Sequence, residues 1–246
     1  MKLVASFFVL GVNMGHYFTN EDLKSEIKKF EIEINNEKLI FNTDNGVFSK
    51  GELDYGSYLL IKNVLPIVKG KVLDLGCGYG PIGCIVNKVT KSEVLMVDVN
   101  KRAVHLTEMN IKENNVKYCN AFVSNVYQEV SKKYDYIITN PPIRAGKEVV
   151  YKILFEASKH LKENGALYFV INKNQGALSA KRDLEKVASV EILEKNKGFY
   201  IMKATFGLTN WLNYAINISW RCFFLLRHVY ILWKFESRGD FKWRTK

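Results

Sequence analysis

Two hydrophobic rhythms take turns along this chain. Phe30-Glu31-Ile32-Glu33-Ile34 alternates apolar and charged residues, the period of a half-buried strand. Asn35-Asn36 offers a turn and Leu39-Ile40-Phe41 resumes the apolar run, so a β-hairpin is predicted over about 29–43. Over residues 54–68 the period becomes helical through Tyr58, Leu59, Ile61 and Leu65. Short apolar runs then mark strands at 72–75, 94–97, 134–139 and 166–171, with a weaker one near 117–123. Helical patterns fall between and after them, at 81–89, 102–114, 147–162 and about 177–188. Two last runs, 190–193 and 198–203, lie so close together that they should pair as an antiparallel hairpin.

Strands alternating with helices require a parallel sheet with right-handed crossovers and covered faces. The expected fold is therefore α/β and Rossmann-like, preceded by a small N-terminal β-hairpin. The closing antiparallel hairpin departs from a pure dinucleotide-binding fold.

Composition bounds this picture. A chain of 246 residues, 48% hydrophobic, can bury one full core. The net charge of +11 favours a polyanionic partner, RNA or an acidic membrane surface. Residues 206–246 hold seven of the basic residues against Glu236 and Asp240, and all four tryptophans, Trp211, Trp220, Trp233 and Trp243. Arg221, Arg227, His228, Asn213 and Asn217 interrupt a membrane span there, which disfavours one. An interfacial helix, an aromatic-basic strip for RNA and an extension without a role stay open. Cys77, Cys84, Cys119 and Cys222 lack the spacing of a zinc knuckle or redox pair, which points to a reduced, cytoplasmic protein without structural metal. Residues 1–14 resemble a short signal peptide, but Met14 offers an internal start, so they are expected to be an extension. The domain itself is expected over 15–205.

The candidate chemistry sits at strand ends, where open α/β sheets bind ligands. Gly78-x-Gly80-x-x-Gly83 follows the first strand and fits a dinucleotide fingerprint. Asp74, two residues before Gly76, would oppose a pyrophosphate but suits the ammonium and sulfonium of S-adenosylmethionine. Gly76, Cys77, Gly78 and Gly80 would let the backbone approach that cofactor. Asp98, with Val99 beside it, closes the second strand and can accept both ribose hydroxyls, while Asn100 is better placed as a helix N-cap. Asn125 is a candidate for the adenine edge, or a turn residue.

Asn140-Pro141-Pro142-Ile143 ends the strand at 134–139. Two prolines stop the ladder and fix the backbone. The Asn140 amide and the Pro141 carbonyl can then be aimed at a planar amino group, which suits holding an –NH2 rather than activating a hydroxyl. Phe48 is a candidate pocket wall or a core residue, and Arg144 and Lys147 are candidates for phosphate contacts, with Lys173, Lys181 and Arg182 beyond them.

Five segments in order, Gly46-Val47-Phe48-Ser49, Asp54-x-Gly56-Ser57, Asp74 to Gly83, Val97-Asp98-Val99-Asn100 and Asn140 to Lys147, resemble the methyltransferase small-domain family. Within it the chain is similar to class I S-adenosylmethionine-dependent enzymes related to the small-subunit ribosomal RNA guanine-N2 methyltransferases. The resemblance covers about 15–204 and implies a seven-stranded sheet with a reversed last strand. It implies methyl transfer to an exocyclic amine without a metal, with ribosomal RNA or the small ribosomal subunit as partner. The family usually has Asp where Asn125 stands, and residues 206–246 have no counterpart in it. Related Asn-Pro-Pro enzymes act on adenine or on a glutamine amide. A non-catalytic RNA-binding module with this fold is a further reading, and an NAD-dependent oxidoreductase leaves the Asn-Pro-Pro motif unexplained.

Overall fold

The structure, a computed structural model, describes residues 23–207. The expected extension at 1–14 and nearly all of the 206–246 stretch lie outside the described residues.

Strands β1 (Lys28–Ile34) and β2 (Glu37–Thr43) form the antiparallel hairpin, with Ile34 opposite Glu37. Asn35 and Asn36 turn it at φ of 48° and 63°, the left-handed pair that a two-residue hairpin turn needs. Helix α1 (Tyr55–Val64) follows, then β3 (Lys71–Leu75), α2 (Pro81–Thr90), β4 (Glu93–Asp98), α3 (Lys101–Glu113) and β5 (Cys119–Val123). Next come β6 (Tyr134–Thr139), α4 (Lys147–His160), β7 (Leu161–Asn172), α5 (Ala177–Leu184), β8 (Ser189–Asn196) and β9 (Phe199–Thr205).

The main sheet has seven strands in the order β5-β4-β3-β6-β7-β9-β8. Strands β3 to β7 run parallel, and β9 alone is reversed, antiparallel to both β7 and β8. Alternate residues of each strand feed two cores. Val72, Tyr168 and Val170 face α1, α2, α3 and the hairpin, while Leu73, Leu167, Phe169 and Ile171 face α4 and α5. A strand buried on both faces reads as a continuous apolar run, which is why 166–171 is legible as one.

Three boundaries differ from the pattern by four residues or more. Helix α1 stops at Val64 rather than 68 because Pro66 has no N–H to donate and disfavours helix in the residue before it. Helix α5 ends at Leu184, where the N–H groups of Val187 and Ala188 both return to the Leu184 carbonyl and turn the chain toward β8. Strand β7 begins at Leu161, five residues early: Leu161 pairs with Tyr134 and Ala166 with Tyr136, so the polar Lys162, Glu163 and Asn164 bulge out between them.

Candidate active site

The sheet order reverses direction between β3 and β6, and a cavity of about 640 Å³ opens at the carboxyl ends of these strands. Its floor is the loop between β3 and α2. The N–H groups of Gly76 and Cys77 donate to the Val97 carbonyl at 2.9 and 3.0 Å, tying the loop to β4. Gly80 turns at φ 86°, and a Cβ there would meet Thr107 Cγ2 at 2.7 Å, so α3 can approach only a glycine. At Gly78 (φ 58°) nothing lies within 4 Å of where a Cβ would stand. That open space faces the cavity it lines, leaving room for a ligand against bare backbone.

Asp98 lines the cavity beside Gly78. One carboxylate oxygen accepts from Gly78 N–H and the other from Asn100 N–H, both at 2.9 Å. Each oxygen keeps a second lone pair, the acceptor set a ribose diol needs. Burial pushes the Asp98 carboxyl up, against the pull of these backbone donors. Asn100 caps α3 by accepting from the N–H groups of Arg102 and Ala103, as its position at the strand end predicts. Val99, Ser124 and Asn125 line the cavity, as do the apolar Val149 and Ile153 of α4. The residues present therefore fit S-adenosylmethionine.

Asp74 stands elsewhere than a contact residue would. It is fully buried, is absent from the cavity wall, and braces α2 by accepting from Gly83 N–H at 2.9 Å. Its other oxygen has no partner among the described residues. Burial raises its carboxyl to about 7, with the Asp98 charge adding and Gly83 N–H opposing. Asp74 thus supports the loop from beneath rather than from the cavity wall. Gly80 likewise shapes the loop without lining the cavity. Cys77 contributes backbone: its buried thiol lies 3.7 Å from Thr107 Oγ1, and burial pushes it well above its ordinary range.

Asn140, Pro141, Pro142 and Ile143 also line the cavity, with Pro142 Cδ 3.9 Å from where a Cβ on Gly76 would stand. Thr139 Oγ1 donates to the Leu75 carbonyl at 2.8 Å, fastening the end of β6 to β3. Ala145 and Gly146 N–H groups donate to the carbonyls of Pro142 and Ile143, which leaves the Pro141 carbonyl outside the turn's own hydrogen bonds. The Asn140 amide nitrogen donates to Asp54 Oδ2 at 3.0 Å and to Ser57 Oγ at 2.9 Å. Both of its N–H groups are spent there, so the amide oxygen is the polar atom left for the cavity.

Phe48, 55% exposed, lines the mouth rather than the core, and Arg144 lines it too. Lys147 does not: its Nζ sits 4.7 Å above the Tyr151 ring. Lys181 pairs with Glu185. Asp54, Ser57, Asn172 and Phe199 also line the cavity without having been singled out as site residues. For Asp54 and Ser57 the available signal was their place in the Asp54-x-Gly56-Ser57 segment, whose spacing is also that of a helix cap, and Asp54 does cap α1 by accepting from Ser57 N–H at 2.8 Å.

A sheet with one reversed strand and its cavity at the switch point is the architecture of the class I S-adenosylmethionine-dependent methyltransferases. The chain belongs to the methyltransferase small-domain family, whose model matches residues 38–203. It is 42% identical to the uncharacterized protein YbxB of Bacillus subtilis over 195 residues, 77% of this chain and 97% of that protein. It is 37% identical to ribosomal RNA small subunit methyltransferase C of Psychromonas ingrahamii over 152 residues, 60% of this chain but 43% of that protein. The chain thus spans less than half the length of that relative. Among solved structures, the 16S rRNA N2 G1207 methyltransferase RsmC of T. thermophilus, in complex with AdoMet and guanosine, superposes with a TM-score of 0.67 at 24% identity. That likeness covers 75% of this chain and 52% of the other, and shows the shared fold. Among the described residues no helix is long and apolar enough to cross a membrane.

Proposed function

We propose that this protein methylates an exocyclic amino group of RNA, specifically guanine N2 of small-subunit ribosomal RNA. The observation that carries the reading is the Asn140 amide, with both N–H groups spent on Asp54 and Ser57. Its oxygen is thereby left for the cavity, which Pro141 lines beside it with a carbonyl that the turn's own hydrogen bonds leave free to accept. Two acceptors so placed match the two N–H groups of a planar amine. S-adenosylmethionine supplies the electrophilic methyl group when bound. Asn140 and Pro141 hold the amine and favour a pyramidal nitrogen, freeing its lone pair from the ring and stabilising the positive charge that develops. Asp98 and the Gly78 backbone orient the cofactor, so that approach is set by position. Phe48 and Ile143 cover the base, and Arg144 at the mouth meets a flanking phosphate. A paired base cannot enter such a pocket, so the target is unpaired or flipped. The choice of ribosomal RNA is supported by the names that its relatives carry and by the net charge of +11.

The test is to incubate the protein with radiolabelled S-adenosylmethionine and small ribosomal subunits, free rRNA, DNA or protein fractions, then digest and separate the products. Label in N2-methylguanosine is expected. Label in N6-methyladenosine or in protein would overturn the substrate assignment. Asn140→Ala is expected to slow turnover by about a hundredfold or more, the scale of one lost transition-state hydrogen bond, while cofactor binding persists.

A further inference from the structure

We infer that Asp54 and Ser57 are positioning residues for methyl transfer, which set the direction in which the Asn140 amide faces. This rests on the reading of Asn140 as an acceptor for the target amine. An asparagine amide can sit in two orientations about its last torsion, and only one presents oxygen to the cavity. The other would present N–H groups to an amine that itself donates. Nothing in the Asn-Pro-Pro segment chooses between them. The choice lies behind the amide, where Asp54 Oδ2 and Ser57 Oγ both accept from Nδ2 at 3.0 and 2.9 Å. A carboxylate only accepts, so turning the amide over would set its oxygen against Asp54 Oδ2, whereas the Ser57 hydroxyl can donate as well as accept and follows the orientation that the carboxylate sets.

Asp54 is in turn held. It caps α1 through Ser57 N–H, and the next residue, Tyr55, donates its hydroxyl to Asn196 at 3.1 Å and meets the Phe199 ring edge-on at 5.9 Å. Gly56 lets this helix start press on β9: a Cβ there would stand 2.9 Å from Phe199 Cε1. The start of α1 is therefore seated on the β8–β9 hairpin, and the carboxylate has one place to be. A second consequence follows from its charge. An anion hydrogen-bonded to the nitrogen of an amide polarises it toward the oxygen, and that oxygen faces the nitrogen on which positive charge grows.

A double-mutant cycle tests the assignment. Asp54→Asn keeps an oxygen for the helix cap but brings an NH2 that disfavours the native orientation of Asn140. Its kcat is expected to fall about thirtyfold, and that of Ser57→Ala about fivefold, with the cofactor Kd within twofold of wild type. In the Asn140→Ala background, Asp54→Asn should cost nothing more. A full additional loss there, with Asn140→Ala itself impaired, overturns the positioning role alone; wild-type turnover by Asn140→Ala overturns the functional reading beneath it. A readout free of substrate is side-chain amide hydrogen exchange by 15N NMR. The Asn140 NH2 protons should exchange slowly in wild type and at least tenfold faster in Asp54→Asn, and equal rates in the two proteins would contradict the anchoring.

Discussion

At the scale of single residues, the carboxylates of this site divide their work by burial. Asp98 reaches the cavity with one spare lone pair on each oxygen. Loss of charge-assisted bonds to a ribose is worth about 1.5–3 kcal/mol, so Asp98→Ala is expected to weaken S-adenosylmethionine binding by roughly tenfold to a hundredfold in calorimetry. An unchanged Kd would remove it from the site. Asp74 is a titrating group rather than a contact. In an unfolded chain an aspartate ionises near pH 4, whereas here the proton is kept to about 7. Between these values the folded state binds the extra proton, so the contribution is full below about pH 4 and is lost as pH climbs to about 7. Asp74→Asn, which cannot ionise, is expected to flatten that fall in a series of thermal melts, leaving the slope due to Asp98, whose carboxyl burial also raises. A profile identical to wild type would refute this. Gly76, Cys77, Gly78, Asp98 and Asn140 to Ile143, which line the cavity, were legible as candidates because strand ends and glycines mark them in the sequence. Asp54-x-Gly56-Ser57 was visible as a segment of the family pattern, but not as the partner of Asn140, because Asp54 and Ser57 lie 86 and 83 residues away and their spacing reads equally well as an ordinary helix cap.

Among elements, the least expected connection is the grip of α3 on the hairpin. Strand β2 turns its outer edge toward α3, and two asparagines stand in for a neighbouring strand. Asn114 accepts from Ile40 N–H and donates to the Ile40 carbonyl at 2.7 and 2.8 Å. Asn110 accepts from the Asn42 N–H and donates to the Asn42 carbonyl at 2.7 and 3.0 Å. Its amide also donates to the Tyr79 carbonyl at 2.8 Å, so one side chain fastens the hairpin to the cofactor loop. Asn110 is fully buried, and its removal would strand several backbone groups away from water. Asn110→Ala is therefore expected to cost on the order of 3 kcal/mol, read as a lower midpoint in urea with an unchanged m-value. A loss under about 0.5 kcal/mol would show that water replaces the amide. Periodicity revealed each of these elements, from the alternation of Phe30, Ile32 and Ile34 to the buried runs of β6 and β7. What it left out was how elements meet, because a polar residue on a helix, such as Asn110, reads as solvent-facing until a strand edge is placed against it.

For the whole molecule, the question is which of its charges remain for a polyanion. The net charge of +11 counts every lysine alike, but the fold does not leave them equal. Lys181 is engaged by Glu185 and Lys186 by Asp183, and Lys147 lies over Tyr151, whereas Arg144 lines the mouth of the cavity. A cation that neutralises a phosphate of single-stranded RNA contributes about 0.7 to the slope of log affinity against log salt. Arg144→Ala is therefore expected to lower that slope by about 0.7 for a small-subunit rRNA fragment, measured by fluorescence anisotropy across a potassium chloride series. Lys181→Ala should lower it by less than half as much, since Glu185 left unpaired repels the same phosphates only from a distance that salt screens. The kcat of Arg144→Ala at saturating RNA should stay within about threefold of wild type, because a phosphate contact positions the strand without touching the amine. Equal slopes for Arg144→Ala and wild type would mean that RNA enters the cavity from another side, and would direct attention to the lysines of the β8–β9 turn, Lys195 and Lys197, which stand over Tyr200 and Tyr55.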